Sequence, residues 1–212
     1  MGQERVPTDG KTHLVTNQAC FACAIARGRI SKIDETHFSV QNKPQDWGAS
    51  AGLQYEAAWA LGAANGVRDL EALQYANLIC NEHGMDPISF GATVGAVMEL
   101  YELGVLTKAQ IGLEAPFGSA RALCELADMT ANGIGFGKEI GLGSKRPCEK
   151  YGHPELSMSV KGQEFPAYDS PGRLRMRARS CNAPRLARAC CSWGPASLAA
   201  SSWKRSSSAA CS

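Results

Sequence analysis

The sequence predicts an all-α fold, a helical bundle-like domain followed by a disordered basic C-terminal tail. Three observations lead there. Apolar residues recur at three- and four-residue spacing between residues 52 and 132, each run bounded by a capping residue and a glycine. No strand-rich region and no 30-residue repeat interrupts them. The acidic residues stop before residue 170.

The elements follow in order. Gly52 to Ala64 places Leu53, Ala57 and Leu61 on one face. Asp69 is placed to cap a helix whose Leu70, Leu73, Asn77 and Cys80 recur at helical spacing, and Gly84 terminates it. Asp86 before Pro87 opens the next helix, because aspartate accepts free amides at the N-cap and proline suits the first turn. Val94, Val97, Met98 and Tyr101 form its apolar stripe, and Gly104 ends it. Thr107 caps a short segment, and Phe117 to Asn132 gathers Ala120, Leu123, Cys124 and Ala127 before Gly133. Residues 50–145 are therefore expected to be almost entirely helical, with Leu61, Leu73, Val97, Met98, Leu123 and Leu126 buried. From Leu156 to Tyr168 the pattern is more extended.

Composition excludes the less usual classes. The 212 residues are 44% hydrophobic and 20% charged, ordinary for a globular chain of one or two domains. There is no stretch near 18 apolar residues and no export leader at the start, so neither a membrane span nor secretion is expected and the cytoplasm is the default. Nine cysteines in a chain this long read as reduced thiols more readily than as a disulfide scaffold.

The net charge of +2 hides a division. From residue 170 onward there are seven Arg and one Lys with no Asp or Glu, so the 14 remaining basic residues face 20 acidic ones and residues 1–169 carry −6. Those last residues also hold ten Ser, nine Ala and four Cys, with no apolar period. A basic segment usually points to nucleic acid, but few lysines, clustered cysteines and no aromatic stacking pattern argue against it.

Cys20 and Cys23 are the most chemically suggestive pair, because two intervening residues let both thiolates converge from one turn on a metal or a cluster. A redox pair or two inert thiols fit the same spacing. The run Cys-x2-Cys-x3-Cys that holds a cluster would need a third cysteine at Arg27. The four histidines show no ligand spacing, and Cys80 three residues before His83 reads as a core thiol. Gly133 to Gly137 looks like a phosphate loop, yet no strand precedes it and no Gly-Lys-Ser/Thr follows.

Several segments, in order, resemble the tungsten- and molybdopterin-dependent aldehyde ferredoxin oxidoreductases. They are Cys20 to Cys23, Tyr55-Glu56 with Trp59 to Gly62, Ala76-Asn77 to Cys80-Asn81, Gly84 to Ser89, and Lys161 to Glu164 with Pro166 to Asp169. The resemblance covers residues 13–169, leaving 1–12 as an extension and 170–212 as a tail. It implies a fragment of a larger enzyme that oxidises an aldehyde to a carboxylic acid, passing electrons from a tungsten (or molybdenum) bis-pterin through a [4Fe–4S] cluster to ferredoxin or another redox partner. Cys20 and Cys23 would be two cluster ligands. Glu56 would be the carboxylate beside the metal, although an exposed helix residue near Trp59 is the plainer reading. Asn81, Gly84 and Asp86 would contact the pterin, and Asp86 can serve as an N-cap as well. Arginine is permanently protonated and cannot ligate iron, so this chain is not expected to hold a stable cluster. Two other readings stand beside aldehyde oxidation, a subunit of a tungsten-dependent aromatic-ring reductase and a cofactor-free helical binding or structural fragment.

The tail is expected to be a frameshifted reading. The family pattern continues with Pro-Arg-Gly where this chain reads Ser170-Pro171-Gly172-Arg173. Codons TCC CCG GGG CGC encode those four residues, and one nucleotide later they read CCC CGG GGC, which is Pro-Arg-Gly.

Overall fold

A computed structural model describes residues 13–19, 21, 22, 24, 25 and 28–167. The N-terminal extension, Cys20, Cys23, Arg27 and the basic tail lie outside the described residues, so the expectations for them are untouched here.

The molecule is mostly helical, as expected, but it is not all-α among the described residues. Strands β1 (Leu14–Gln18), β2 (Gly28–Ser31) and β3 (Ser50–Ala51) form an antiparallel sheet in that order, and β4 (Ser159–Val160) pairs with β5 (Gln163–Glu164). These strands escape a periodicity reading because they run two to five residues, too short to display alternation. Their stability comes from pairings such as Leu14 with Ser31, distant in sequence.

Among the described residues seven α-helices follow the first sheet: α1 (Tyr55–Leu61), α2 (Leu70–Glu82), α3 (Pro87–Glu102), α4 (Lys108–Ile111), α5 (Ala120–Ala131), α6 (Gly137–Ile140) and α7 (Lys145–Lys150). No described helix is long and apolar enough to cross a membrane. The six apolar residues expected in the core are all buried. The capping signals also hold. Asp86 accepts from the Ile88 and Ser89 amides with Pro87 in the first turn, and Gly84 and Gly104 end their helices at φ +67° and +73°. The glycines of 133–137 have structural reasons: Gly133 and Gly135 turn the chain at φ +61° and +53°, and a Cβ on Gly137 would lie 2.2 Å from the Met129 carbonyl carbon, so only glycine lets α6 meet α5.

Helix α2 is the centre of the molecule, buried from Ala72 through Cys80. On one side Tyr75 donates to Asp128 of α5 at 2.6 Å, and Lys43 bonds both Tyr75 and Asp128. Burial first, then the bond to Asp128, pushes the Tyr75 phenol well above its usual range. On the other side Asn77 donates to the Ala51 carbonyl at 3.0 Å, which ties the sheet to the helix.

The start of α2 is a junction of charges. Asp69 caps it by accepting from the Glu71 and Ala72 amides and also meets His37 Nε2 at 3.1 Å, while His13 Nδ1 lies 3.3 Å from Glu71. The Asp69 carboxyl is held below its usual range, chiefly by the His37 bond. Asp69→Ala is expected to cost about 1–2 kcal/mol in chemical denaturation, the usual loss for a cap. Because the folded carboxyl titrates lower than the unfolded one, wild-type stability from this group is complete above about pH 4 and falls as pH drops through the folded value. The variant's acid-unfolding curve should lack that part of the decline.

Candidate functional site

The sheet decides which way the first hairpin points. β1 ends at Gln18 opposite Gly28, so β1 and β2 form a hairpin that turns beyond those two residues. β3 runs antiparallel to β2, pairing Ser50 with Ser31 and then Ala51 with Ile30, and the Gly52 amide donates to Arg29 at 2.8 Å. The chain entering α1 therefore travels toward the loop end of the hairpin. Glu56 stands in the first turn of α1, at that end.

The helices bring the second element to the same end. The Asn65 amide Nδ2 donates to Ala60 and Leu61 of α1 and to Gly91 of α3, at 3.1 to 3.3 Å. Gly91 lies against Ala60 and Leu61, and Gly95, one turn further along α3, lies against Asn65, which follows α1, so α1 and α3 run in the same sense and their first turns lie together. α2 agrees independently. Gly62, after α1, lies against Leu73 near the start of α2, whereas Ala51, before α1, meets Asn77 further along. α1 and α2 are thus antiparallel, and the α2–α3 corner carrying Asn81, Gly84 and Asp86 falls at the end where Glu56 begins.

A third element joins them. The Ala167 amide donates to Glu56 Oε2 at 2.7 Å, across 111 residues of sequence. Glu56 is half-buried rather than a fully solvated helix residue, while Asn81, Gly84 and Asp86 are exposed. Phe21 and Ile25 on the hairpin loop, with Tyr55 beside Glu56, expose large apolar side chains at the same end. The topology thus gathers the hairpin, the first turn of α1, the α2–α3 corner and residues 165–167.

Other candidates fall away. Burial pushes the Cys80 thiol up to about 12, so it stays protonated in the core, while His83 is exposed. Among the described residues no group of three or more His, Cys, Asp and Glu is arranged to hold a metal ion. His13 and His37 come together through Glu71, at the opposite end of α2 from the corner. Sequence reading assigned no role to the Ala167 amide or to Glu164, which accepts from Ser144 at 2.9 Å from both its amide and its hydroxyl. A backbone donor has no side-chain signature, and a lone glutamate gives no sign of burial.

The chain belongs to the aldehyde ferredoxin oxidoreductase family, whose members are oxidoreductases. It matches the family model described as "Aldehyde ferredoxin oxidoreductase, domains 2 & 3" over residues 6–190, a match that runs into the basic segment. It is similar to the tungsten-containing aldehyde ferredoxin oxidoreductase of Pyrococcus furiosus, 41% identical over 162 residues, and to that of Thermococcus kodakarensis, 42% identical over 162 residues; each alignment covers 76% of this chain and 25% of the relative. The chain therefore spans about a quarter of the length of these curated relatives. It is also 31% identical over 96 residues, 45% of this chain and 15% of the relative, to the P. furiosus "Aliphatic sulfonate oxidoreductase, WOR-like subunit".

Proposed function

We propose that this chain supplies the carboxylate and the pterin-contacting corner of a tungsten (or molybdenum) bis-pterin site that oxidises an aldehyde to a carboxylic acid, with electrons leaving to ferredoxin or another redox partner. The observation that supports it best is the bond from the Ala167 amide to Glu56, at the end of the fold where the course of the helices also puts the Asn81–Asp86 corner.

The corner fits a pterin. Gly84 sits at φ +67° with nothing within 4 Å of a Cβ built on it, so a flat ligand can approach the backbone there. The Asn81 side-chain oxygen is an exposed acceptor for ring amino groups, and each Asp86 oxygen retains a lone pair beyond its capping bond. When bound, the metal–pterin group supplies the two-electron redox chemistry. Glu56 holds and moves a proton, with its Oε2 fixed by the Ala167 amide. A four-cysteine cluster does not fit equally well, since Arg27 occupies the place of the third ligand. No step is assigned to a cluster in this chain.

Two other readings have specific support. Likeness to the sulfonate oxidoreductase subunit favours a different substrate on the same scaffold. Arg27 favours a cofactor-free helical fragment.

Anaerobic isolation from tungstate-supplemented medium, with metal and pterin analysis, separates the readings. Tungsten and pterin should accompany the wild-type chain and be lost from Asn81→Ala, whose side chain caps no helix. Iron should stay well below four per chain with no stable cluster absorbance, because two thiolates leave two corners of the cube without protein ligands. Pterin and tungsten at background would support the cofactor-free reading. Four irons with a lasting cluster spectrum would overturn the argument from Arg27.

A further inference from the structure

We propose that Glu164 is a positioning residue, a buried anchor that sets the Ala167 amide against Glu56. The inference rests on the reading of Glu56 as the proton-handling carboxylate and extends it to residues with no role in that reading so far.

The β4–β5 hairpin is too small to hold itself in place. It has two residues per strand, closed by Lys161 and Gly162 at φ +55° and +81°, the tight turn that such hairpins favour. A two-stranded ribbon of this size is marginal alone, so contacts to the rest of the protein decide where it lies. Glu164 makes them. Its residue is only 9% exposed, and its Oε1 accepts from the Ser144 amide and hydroxyl, both at 2.9 Å, at the start of α7. The Ser144 hydroxyl also meets Ser157 Oγ at 3.0 Å, and Ser157 meets Ser159 Oγ at 2.7 Å, so both strands are tied to one point. Gly143, at φ +81°, leaves room for the carboxyl: a Cβ there would lie 3.3 Å from Oε1. Burying a carboxyl group is costly unless it is hydrogen-bonded, and here both of those bonds come from a single residue.

The anchor is transmitted over a short, stiff link. Phe165 donates to Met158 at 3.2 Å and precedes Pro166, which restricts Phe165 to extended backbone and fixes its own φ. The next residue is Ala167, whose amide meets Glu56 Oε2 at 2.7 Å. Losing the Glu164 bonds frees the hairpin, and the error is passed on to Glu56 with little slack to absorb it.

The test is amide NMR of the full chain. In wild type the Ala167 amide proton should be shifted downfield and exchange slowly, the marks of its 2.7 Å bond to Glu56 Oε2, and Glu56→Ala should remove both. Glu164→Ala should abolish that shift and speed Ala167 exchange by about tenfold or more, the equivalent of losing one net hydrogen bond. Glu164→Gln should restore both, because its carbonyl oxygen still accepts from Ser144. Ser144→Ala, which removes the hydroxyl and keeps the amide, should give an intermediate effect and serves if Glu164→Ala does not fold. An Ala167 amide unmoved in Glu164→Ala and Ser144→Ala overturns the anchor, whatever the enzyme's rate. Full activity of cofactor-loaded Glu56→Gln, beside an intact amide effect, instead removes the catalytic reading of Glu56 and leaves the anchor purely structural.

Discussion

Glu56→Gln is expected to lower kcat of the cofactor-loaded protein by about 10²–10⁴-fold, the usual range for removing a general acid–base group. Glutamine is the informative substitution because it keeps the shape of the side chain and an oxygen that can accept from the Ala167 amide at the position now 2.7 Å away. What it removes is the capacity to take up a proton. Thermal stability and tungsten content should therefore match wild type, and the loss should appear in kcat with KM little changed. A kcat within about threefold of wild type, measured with an artificial electron acceptor at saturating aldehyde, would remove Glu56 from the proton-transfer role.

How legible this site was depends on whether a residue's signal is local. Asp69, Asp86, Gly84 and Gly104 were readable because capping involves a few neighbouring residues, and the structure shows each in the expected place. The stripe through Val94, Val97 and Met98 was readable for the same reason, since helical periodicity is local, although its last member, Tyr101, is only half-buried. The strands were not, because pairing Leu14 with Ser31 or Ser50 with Ser31 is a fact about the fold. The candidate site lies between these cases. Glu56 and the Asn81–Asp86 corner came from motif resemblance, but their placement at one end follows from the sense of α1, α2 and α3, which no window of sequence encodes. Glu164 illustrates the remainder. Its neighbours in sequence carry no sign of burial, and only Ser144, 20 residues away, turns it into a buried anchor.

The steric limit at Gly91 offers a large stability effect for a small substitution. In an exposed helix Gly→Ala stabilises by about 1 kcal/mol, through lower backbone entropy in the unfolded chain. At Gly91 the new Cβ would lie 2.5 Å from both the carbonyl carbon and the oxygen of Ala60, and 2.9 Å from the Leu61 amide nitrogen. These are backbone atoms inside α1, so no side-chain rotation relieves the clash; α1 and α3 must separate. Separation breaks the buried Asn65 bonds that bridge Ala60, Leu61 and Gly91, and an unsatisfied buried amide costs about 1–3 kcal/mol by itself. The packing term therefore outweighs propensity, and Gly91→Ala is expected to destabilise by about 2–3 kcal/mol net, lowering Tm by about 5–10 °C. The same movement shifts Glu56 relative to the Asn81–Asp86 corner, so pterin retention should fall in the fraction that still folds. A Tm equal to or above wild type would mean that the α1–α3 contact tolerates a methyl group and that the two parts of the site are held by something other than this crossing.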